Sequence, residues 1–208
     1  MSTTGTHPSV ELTRIIDELV YSHEGAFSRA EIIEAVATAR EAIESTATVR
    51  SYLPVLIKRY AIDLLDAQAS AEKRVRGTVP EVLFVCVHNA GRSQMAAALA
   101  AHLAPGRLHV RSAGSQPRGE LNPLAVEVLK ERGIDLEEAY PKPLADNFVH
   151  AADVIITMGC GDACPFFPGK RYEDWDVGDP DGMTLEEVRD IRDDIQARVS
   201  QLLRELGL

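Results

Sequence analysis

Between Glu81 and Ser93 the chain reads Glu-Val-Leu-Phe-Val-Cys-Val-His-Asn-Ala-Gly-Arg-Ser, and three of these side chains can act together on an oxyanion. Cys86 is a nucleophile once ionised. Arg92 carries a planar fork that can give two parallel hydrogen bonds to a tetrahedral anion, which a lysine cannot do. Ser93 can hand its hydroxyl hydrogen to a thiolate. What precedes and follows them decides whether they meet. Val82 to Val85 is an unbroken β-branched and aromatic run of the kind a parallel sheet covers on both faces. Gln94 to Leu103 is rich in Ala, Leu and Met and reads as a helix. A loop from a strand end to a helix start aims several backbone N–H groups at one point, and the helix dipole adds positive charge there. Val87, His88, Asn89, Ala90, Gly91, Arg92 and Ser93 are therefore expected to cradle an anion beside Cys86, in surroundings that favour its thiolate. Reading Cys86 as a small core hydrophobe leaves the Gly-Arg-Ser turn without a purpose.

Two further stretches carry chemistry. Val154-Ile155-Ile156-Thr157-Met158 reads as a buried strand, and Cys160 and Cys164 follow it, so both are expected at the carboxyl edge that carries Cys86. A helical turn or a loop could bring the pair within disulfide reach, and with Cys86 they would make a three-thiol relay. The competing reading is a metal clip, but zinc wants four ligands and no nearby histidine supplies a convincing fourth, so no metal is expected. The third stretch, Asp176 to Gly182, is an acidic loop after Trp175. Asp-Pro and Asp-Gly are ordinary turn formers, yet Asp179 before Pro180 could also protonate an oxygen leaving an anion in the cradle.

The rest of the chain has to position these groups. Leu12, Ile15, Ile16, Leu19 and Val20 fall on a helical stripe. Ser28 and Glu31 form a capping box before Ile32, Ile33, Val36 and Ile43. A third helix is expected from about Thr48 to Lys73, with Leu53, Leu56, Tyr60, Leu64 and Leu65 on one face and Pro54 in its first turns. Residues 1–8 read as a loose tail. Residues 1–76 thus form a small all-α, three-helix segment, 77–80 a linker, and 81–208 a domain of alternating strands and helices. In that domain Leu108 to Arg111 reads as a strand, Asn122 and Pro123 open a helix closed by Gly133, and Leu144 to Ala151 form a short helix. Thr184, boxed with Glu187, starts a last helix that turns Leu185, Val188, Ile191, Ile195, Val199, Leu202 and Leu206 inward. The expected fold class is α/β, a doubly wound parallel sheet with helices on both faces and its ligand at the strands' carboxyl ends. The formal net charge of −10 argues against nucleic-acid or anionic-membrane binding. With no export signal or membrane span in the sequence, a cytoplasmic protein is expected, whose cysteines are catalytic rather than structural.

From Val82 onward the chain resembles the low-molecular-weight tyrosine phosphatase superfamily, and most of all its thioredoxin-dependent arsenate reductases. The resemblance is carried by Cys86–Ser93, by Arg-Ser-Ala-Gly-Ser-Gln-Pro at 111–117, by Thr-Met-Gly-Cys-Gly-Asp-Ala-Cys-Pro at 157–165, and by Asp179-Pro180. The helical segment is similar to an extension found in some actinobacterial members. For the fold, the resemblance implies a four-stranded parallel sheet. For the chemistry, it implies that Cys86 attacks arsenic while loop amides and Arg92 hold the oxyanion, and that Asp179 protonates the departing hydroxide. It also implies a Cys86–Cys160 disulfide, passed on as Cys160–Cys164 to thioredoxin, with Asn89 and Ser93 orienting the loop and Ser115 supporting Asn89. Arsenate would be the substrate, phosphate and sulfate its competitors, and electrons would come from thioredoxin without a bound cofactor. Some members bind potassium through a Glu where this chain has Ala97, so no cation is implied. The alternatives are a phosphatase, which would use the same loop but neither Cys160 nor Cys164, a reductase served by mycothiol and mycoredoxin, and a non-catalytic anion sensor. Phosphotyrosine pockets usually place an aromatic residue after Asp-Pro; Asp181-Gly182 stands here.

Overall fold

The computed structural model describes residues 10–46, 52–74, 79–159 and 165–208. The expected tail at 1–8, the start of the third helix near Thr48, the Gly77-Thr78 part of the linker, and both Cys160 and Cys164 lie outside the described residues. The chain divides into two compact units, Met1–Arg74 and Val75–Leu208.

The first unit packs three helices pairwise: α1 (Val10–Ser22), α2 (Arg29–Thr46) and α3 (Leu53–Ala71). Their shared core holds Leu12, Ile15, Ile16 and Leu19 from α1, Ile32, Val36, Ala39 and Ile43 from α2, and Ile57, Tyr60, Leu64 and Leu65 from α3. Ile33 is the exception to the expected stripe. It is 45% exposed, because Ala35 and Ala39 fill the angular positions that let α2 approach its neighbours. The expected box closes α2: the Ser28 backbone N–H and hydroxyl both donate to Glu31 Oε2 at 2.7 Å, and the Glu31 N–H donates to Ser28 Oγ at 3.3 Å.

Arg74, beyond α3, returns to this corner, donating to Glu31 Oε1 at 2.6 Å and to Ala26 O at 2.8 Å. The Arg74 hydrogen bond, and then those from Ser28, hold the Glu31 carboxyl down to about 2 from an ordinary 4.5. A carboxylate lowered on folding adds stability that is fully present above the unfolded value and is lost as pH falls through the folded one. Glu31→Gln should therefore lower the melting temperature near neutral pH. The gap to wild type should close between about pH 4.5 and pH 2, as followed by circular-dichroism melts.

The second unit is built on an all-parallel sheet in the order β2-β1-β3-β4. Its strands are β1 (Glu81–Cys86), β2 (His109–Gly114), β3 (Val154–Met158) and β4 (Arg171–Asp174). Every residue of β1 is buried, as expected for a central strand covered on both faces. Val82, Phe84, Cys86, Val154, Ile156 and Met158 face a core completed by α4 (Arg92–Leu103), α5 (Pro123–Lys130) and α7 (Leu185–Glu205). The other face meets α6 (Asp146–Ala151), which packs on β1 and buries Phe148 and Val149. The strand after β1 lies on one side of it and the next on the other, so a crevice opens at the carboxyl end of β1. Cys86 stands there, in register with Gly114 of β2 and Met158 of β3.

The observed bounds depart from the expected ones in places. The second strand continues past Arg111 to Gly114, and α6 begins two residues later than expected. Thr184 and Glu187 form the full capping box of α7. On that helix Arg192 is buried, donating to Val128 O and to Glu131 Oε2, each at 3.0 Å, and so fastening α7 to α5.

Candidate active site

Cys86 ends β1 and α4 begins at Arg92, so five residues make the turn between them. The turn's carbonyls are held away from its centre. The Val87 carbonyl accepts from Gln116 N–H at 2.8 Å, that of Ala90 from Asn122 N–H at 2.9 Å, that of Gly91 from Met95 N–H at 2.9 Å, and that of Asn89 from Gln94 Nε2 at 3.0 Å. With these four oxygens turned outward, N–H groups of the turn are left to face inward, the arrangement an anion site requires.

The thiol sits at the floor of this turn and is 2% exposed. Asn89 has a positive φ of 51°, a conformation that asparagine tolerates better than most residues, and it turns its N–H toward Cys86 Sγ at 3.2 Å. Asn89 Nδ2 donates to Ser93 Oγ at 2.8 Å. The Ser93 hydroxyl hydrogen is thereby left to point at Cys86 Sγ, 3.0 Å away. Two donors are thus aimed at one sulfur.

Asn89 is itself fixed. Its Oδ1 accepts from the Lys142 N–H at 2.9 Å and from Gln94 Nε2 at 3.0 Å, and Gln94 Nε2 also reaches Tyr140 O at 3.0 Å. The support expected from Ser115 thus comes from Gln94 and Lys142, while Ser115 gives its backbone N–H to Cys86 O at 3.1 Å. Gln94 and Lys142 were not singled out in the sequence. Gln94 reads there as an ordinary first-turn helix residue, and Lys142 lies 53 residues from Asn89, so only the fold brings its N–H to that side chain.

Arg92 and Asp179 are paired, with Arg92 Nη2 donating to Asp179 Oδ2. The acidic loop is thereby laid over the anion turn. Gly91 marks the contact, since a Cβ there would fall 2.5 Å from Pro180 Cγ. Gly159, at φ +74°, marks another: a Cβ would fall 2.8 Å from Arg92 Nη1. Gly91→Ala should push Pro180 and the attached Asp179 off the turn. We expect turnover to fall on the order of 10–100-fold with the melting temperature little changed, as checked by steady-state kinetics beside thermal melts.

Val87, His88 and Ala90 complete the turn, half-buried. The structure brings Cys86 to Ser93 and Arg92 to Asp179 at the end of β1. Among the described residues no cluster of histidine, cysteine, aspartate and glutamate could hold a metal ion, and no helix is long and apolar enough to cross a membrane.

Residues 81–207 match the family described as low molecular weight phosphotyrosine protein phosphatase. Residues 12–69 match the protein-tyrosine-phosphatase-like N-terminal domain. The thioredoxin-dependent arsenate reductase of Corynebacterium glutamicum superposes with a TM-score of 0.84 at 42% identity, over 94% of this chain and 96% of that one. A putative arsenate reductase of Halobacterium salinarum is 38% identical over 129 residues, 60% of this chain and 91% of its own length. An arsenate reductase solved in the phosphate-binding state matches with a TM-score of 0.55 at 34% identity, over 62% of this chain and 99% of that one.

Proposed function

Since the chain belongs to the low-molecular-weight phosphotyrosine protein phosphatase family, we propose that it is an arsenate reductase which takes its electrons from thioredoxin. The observation that carries this reading is the Cys86 sulfur, held between the Asn89 N–H and the Ser93 hydroxyl at the floor of an anion turn closed by Arg92 and Asp179. Its likeness along almost the whole chain to a thioredoxin-dependent arsenate reductase supports both the reaction and the donor. The phosphate-bound relative supports an oxyanion in the turn, with arsenate as substrate and phosphate or sulfate as competitors.

The chemistry follows from the groups in hand. Arsenate settles into the turn's N–H groups and takes Arg92 from Asp179. Asp179, freed from Arg92, is the group placed to act as the general acid. The Cys86 thiolate attacks arsenic, forming an S–As bond, while the displaced hydroxide leaves as water with the Asp179 proton. The Cys160 thiolate then attacks Cys86 Sγ. A disulfide forms, the S–As bonding pair passes to arsenic, and arsenic(V) leaves as arsenite. Attack by Cys164 on Cys160 frees Cys86 and carries the disulfide outward, where the dithiol of thioredoxin reduces it. No bound cofactor is needed, and the relay requires a reducing compartment such as the cytoplasm.

The test is arsenate-dependent NADPH oxidation in the presence of thioredoxin and thioredoxin reductase, for which steady turnover is expected. Turnover only when mycothiol and mycoredoxin replace thioredoxin would keep the reaction and change the donor. Absence of turnover with either, beside brisk aryl-phosphate hydrolysis, would make the protein a phosphatase.

A further inference from the structure

Asn122 joins three parts of the site. Its backbone N–H donates to Ala90 O in the anion turn at 2.9 Å. Its Oδ1 accepts from the N–H groups of Leu124 and Ala125, both at 3.0 Å, and so caps α5. The remaining group, Nδ2, donates to Asp181 Oδ1 at 2.9 Å. Asp181 stands two residues past Asp179 and gives its own N–H to Asp179 Oδ1 at 3.2 Å, an Asx-type turn. Its other carboxylate oxygen is 4.0 Å from His88 Nδ1. Besides the Arg92–Asp179 pair, the segment bearing Asp179 is therefore held at the turn by Pro180 against Gly91 and by Asp181 on Asn122.

Neither Asn122 nor Asp181 has a part in the reaction steps above. We infer that the two form a clasp that sets where the Asp179 carboxyl stands once an oxyanion has taken Arg92 from it. In the structure Arg92 itself holds Asp179. A substrate anion that claims the guanidinium removes this tether at the moment the acid is needed within hydrogen-bond reach of the leaving oxygen. The bonds that survive are those of Asn122 to Asp181 and of Asp181 to Asp179. Asn122 and Asp181 are thus positioning residues, acting through Asp179, and the inference rests on the reductase reading of this same site.

Capping and clasping can be separated chemically. Asn122→Asp keeps an oxygen that caps a helix as well as asparagine does, but sets a carboxylate against Asp181. Asp181→Ala removes the acceptor and leaves the cap alone. Asp181→Ala should lower kcat for arsenate reduction about tenfold, with KM for arsenate within about threefold of wild type, the split expected when a group acts through the transition state. Asn122→Asp should lower kcat at least as far. Combining Asn122→Asp with Asp181→Asn rebuilds the bond with donor and acceptor exchanged, and kcat should return to within about threefold of wild type. Combining Asn122→Asp with Asp181→Ala gives the same net charge with no donor, and should stay low. Wild-type turnover in the same assay tests the reductase reading separately. With an active wild type, an unchanged kcat in Asp181→Ala, or equal recovery in the two double variants, overturns the clasp.

Discussion

Replacing Asp179 with asparagine is expected to lower kcat about 10²–10³-fold while tightening phosphate binding several-fold. The opposite signs follow from one contact. Asp179 occupies the Arg92 guanidinium, so the carboxylate competes with any anion that enters the turn. An amide carries no charge and releases the fork. The same amide has no acidic proton to give, so hydroxide must leave arsenic unassisted, and lost general-acid assistance of this kind typically costs 10²–10⁴-fold. Arg92→Lys should behave differently, because a lysine ammonium cannot give two parallel bonds to the anion: binding and turnover should weaken together. Phosphate inhibition constants beside steady-state arsenate kinetics separate the two patterns. Weaker phosphate binding by Asp179→Asn would show that Asp179 braces Arg92 rather than competing for it.

The parts of this site that could be read from the sequence are those whose physics is local. A buried run, a turn and a helix-forming stretch sit within a single span from Val82 to Leu103, and the burial of β1 and the presence of the turn follow from those residue types. Asn122 was legible as a helix cap because the cap bonds run to Leu124 and Ala125. Its third bond, to Asp181, was not, because it closes between segments that only the fold brings together. The same holds for Gln94 and Lys142 around Asn89. The fourth strand had no signal that placed it. Arg171–Asp174 carries three charged residues and no apolar alternation, and it is a strand because β3 offers it an edge. Arg192 was hidden by the opposite effect. It lies within the apolar stripe of α7, and its burial is tolerable because Val128 O and Glu131 accept its hydrogen bonds.

The relay makes a prediction as large, and it can be read without any reductant. The chain has three cysteines. Pre-reduced wild type given excess arsenate should release about one arsenite per chain and lose about two thiols, since one disulfide accounts for the two electrons that arsenic takes up. Cys164→Ser should match that single release and then stop. The Cys86–Cys160 disulfide can still form, but nothing carries it outward, so steady turnover with thioredoxin should fall at least about 100-fold. Cys160→Ser should release no arsenite and keep both of its thiols titratable by a denaturing thiol assay once arsenate is removed. In this order Cys164 attacks only Cys160, so without Cys160 nothing takes Cys86 and the S–As bonding pair has no way to arsenic. In sequence Cys160 follows Met158, the register partner of Cys86, with Gly159 alone between them. Arsenite release by Cys160→Ser, or wild-type turnover by Cys164→Ser with thioredoxin, would be incompatible with the order Cys86, Cys160, Cys164. A phosphatase using the same turn would be indifferent to both substitutions, because hydrolysis at phosphorus moves no electrons through sulfur. These two variants therefore separate the reductase from its nearest alternative more sharply than any change within the turn, which both chemistries share.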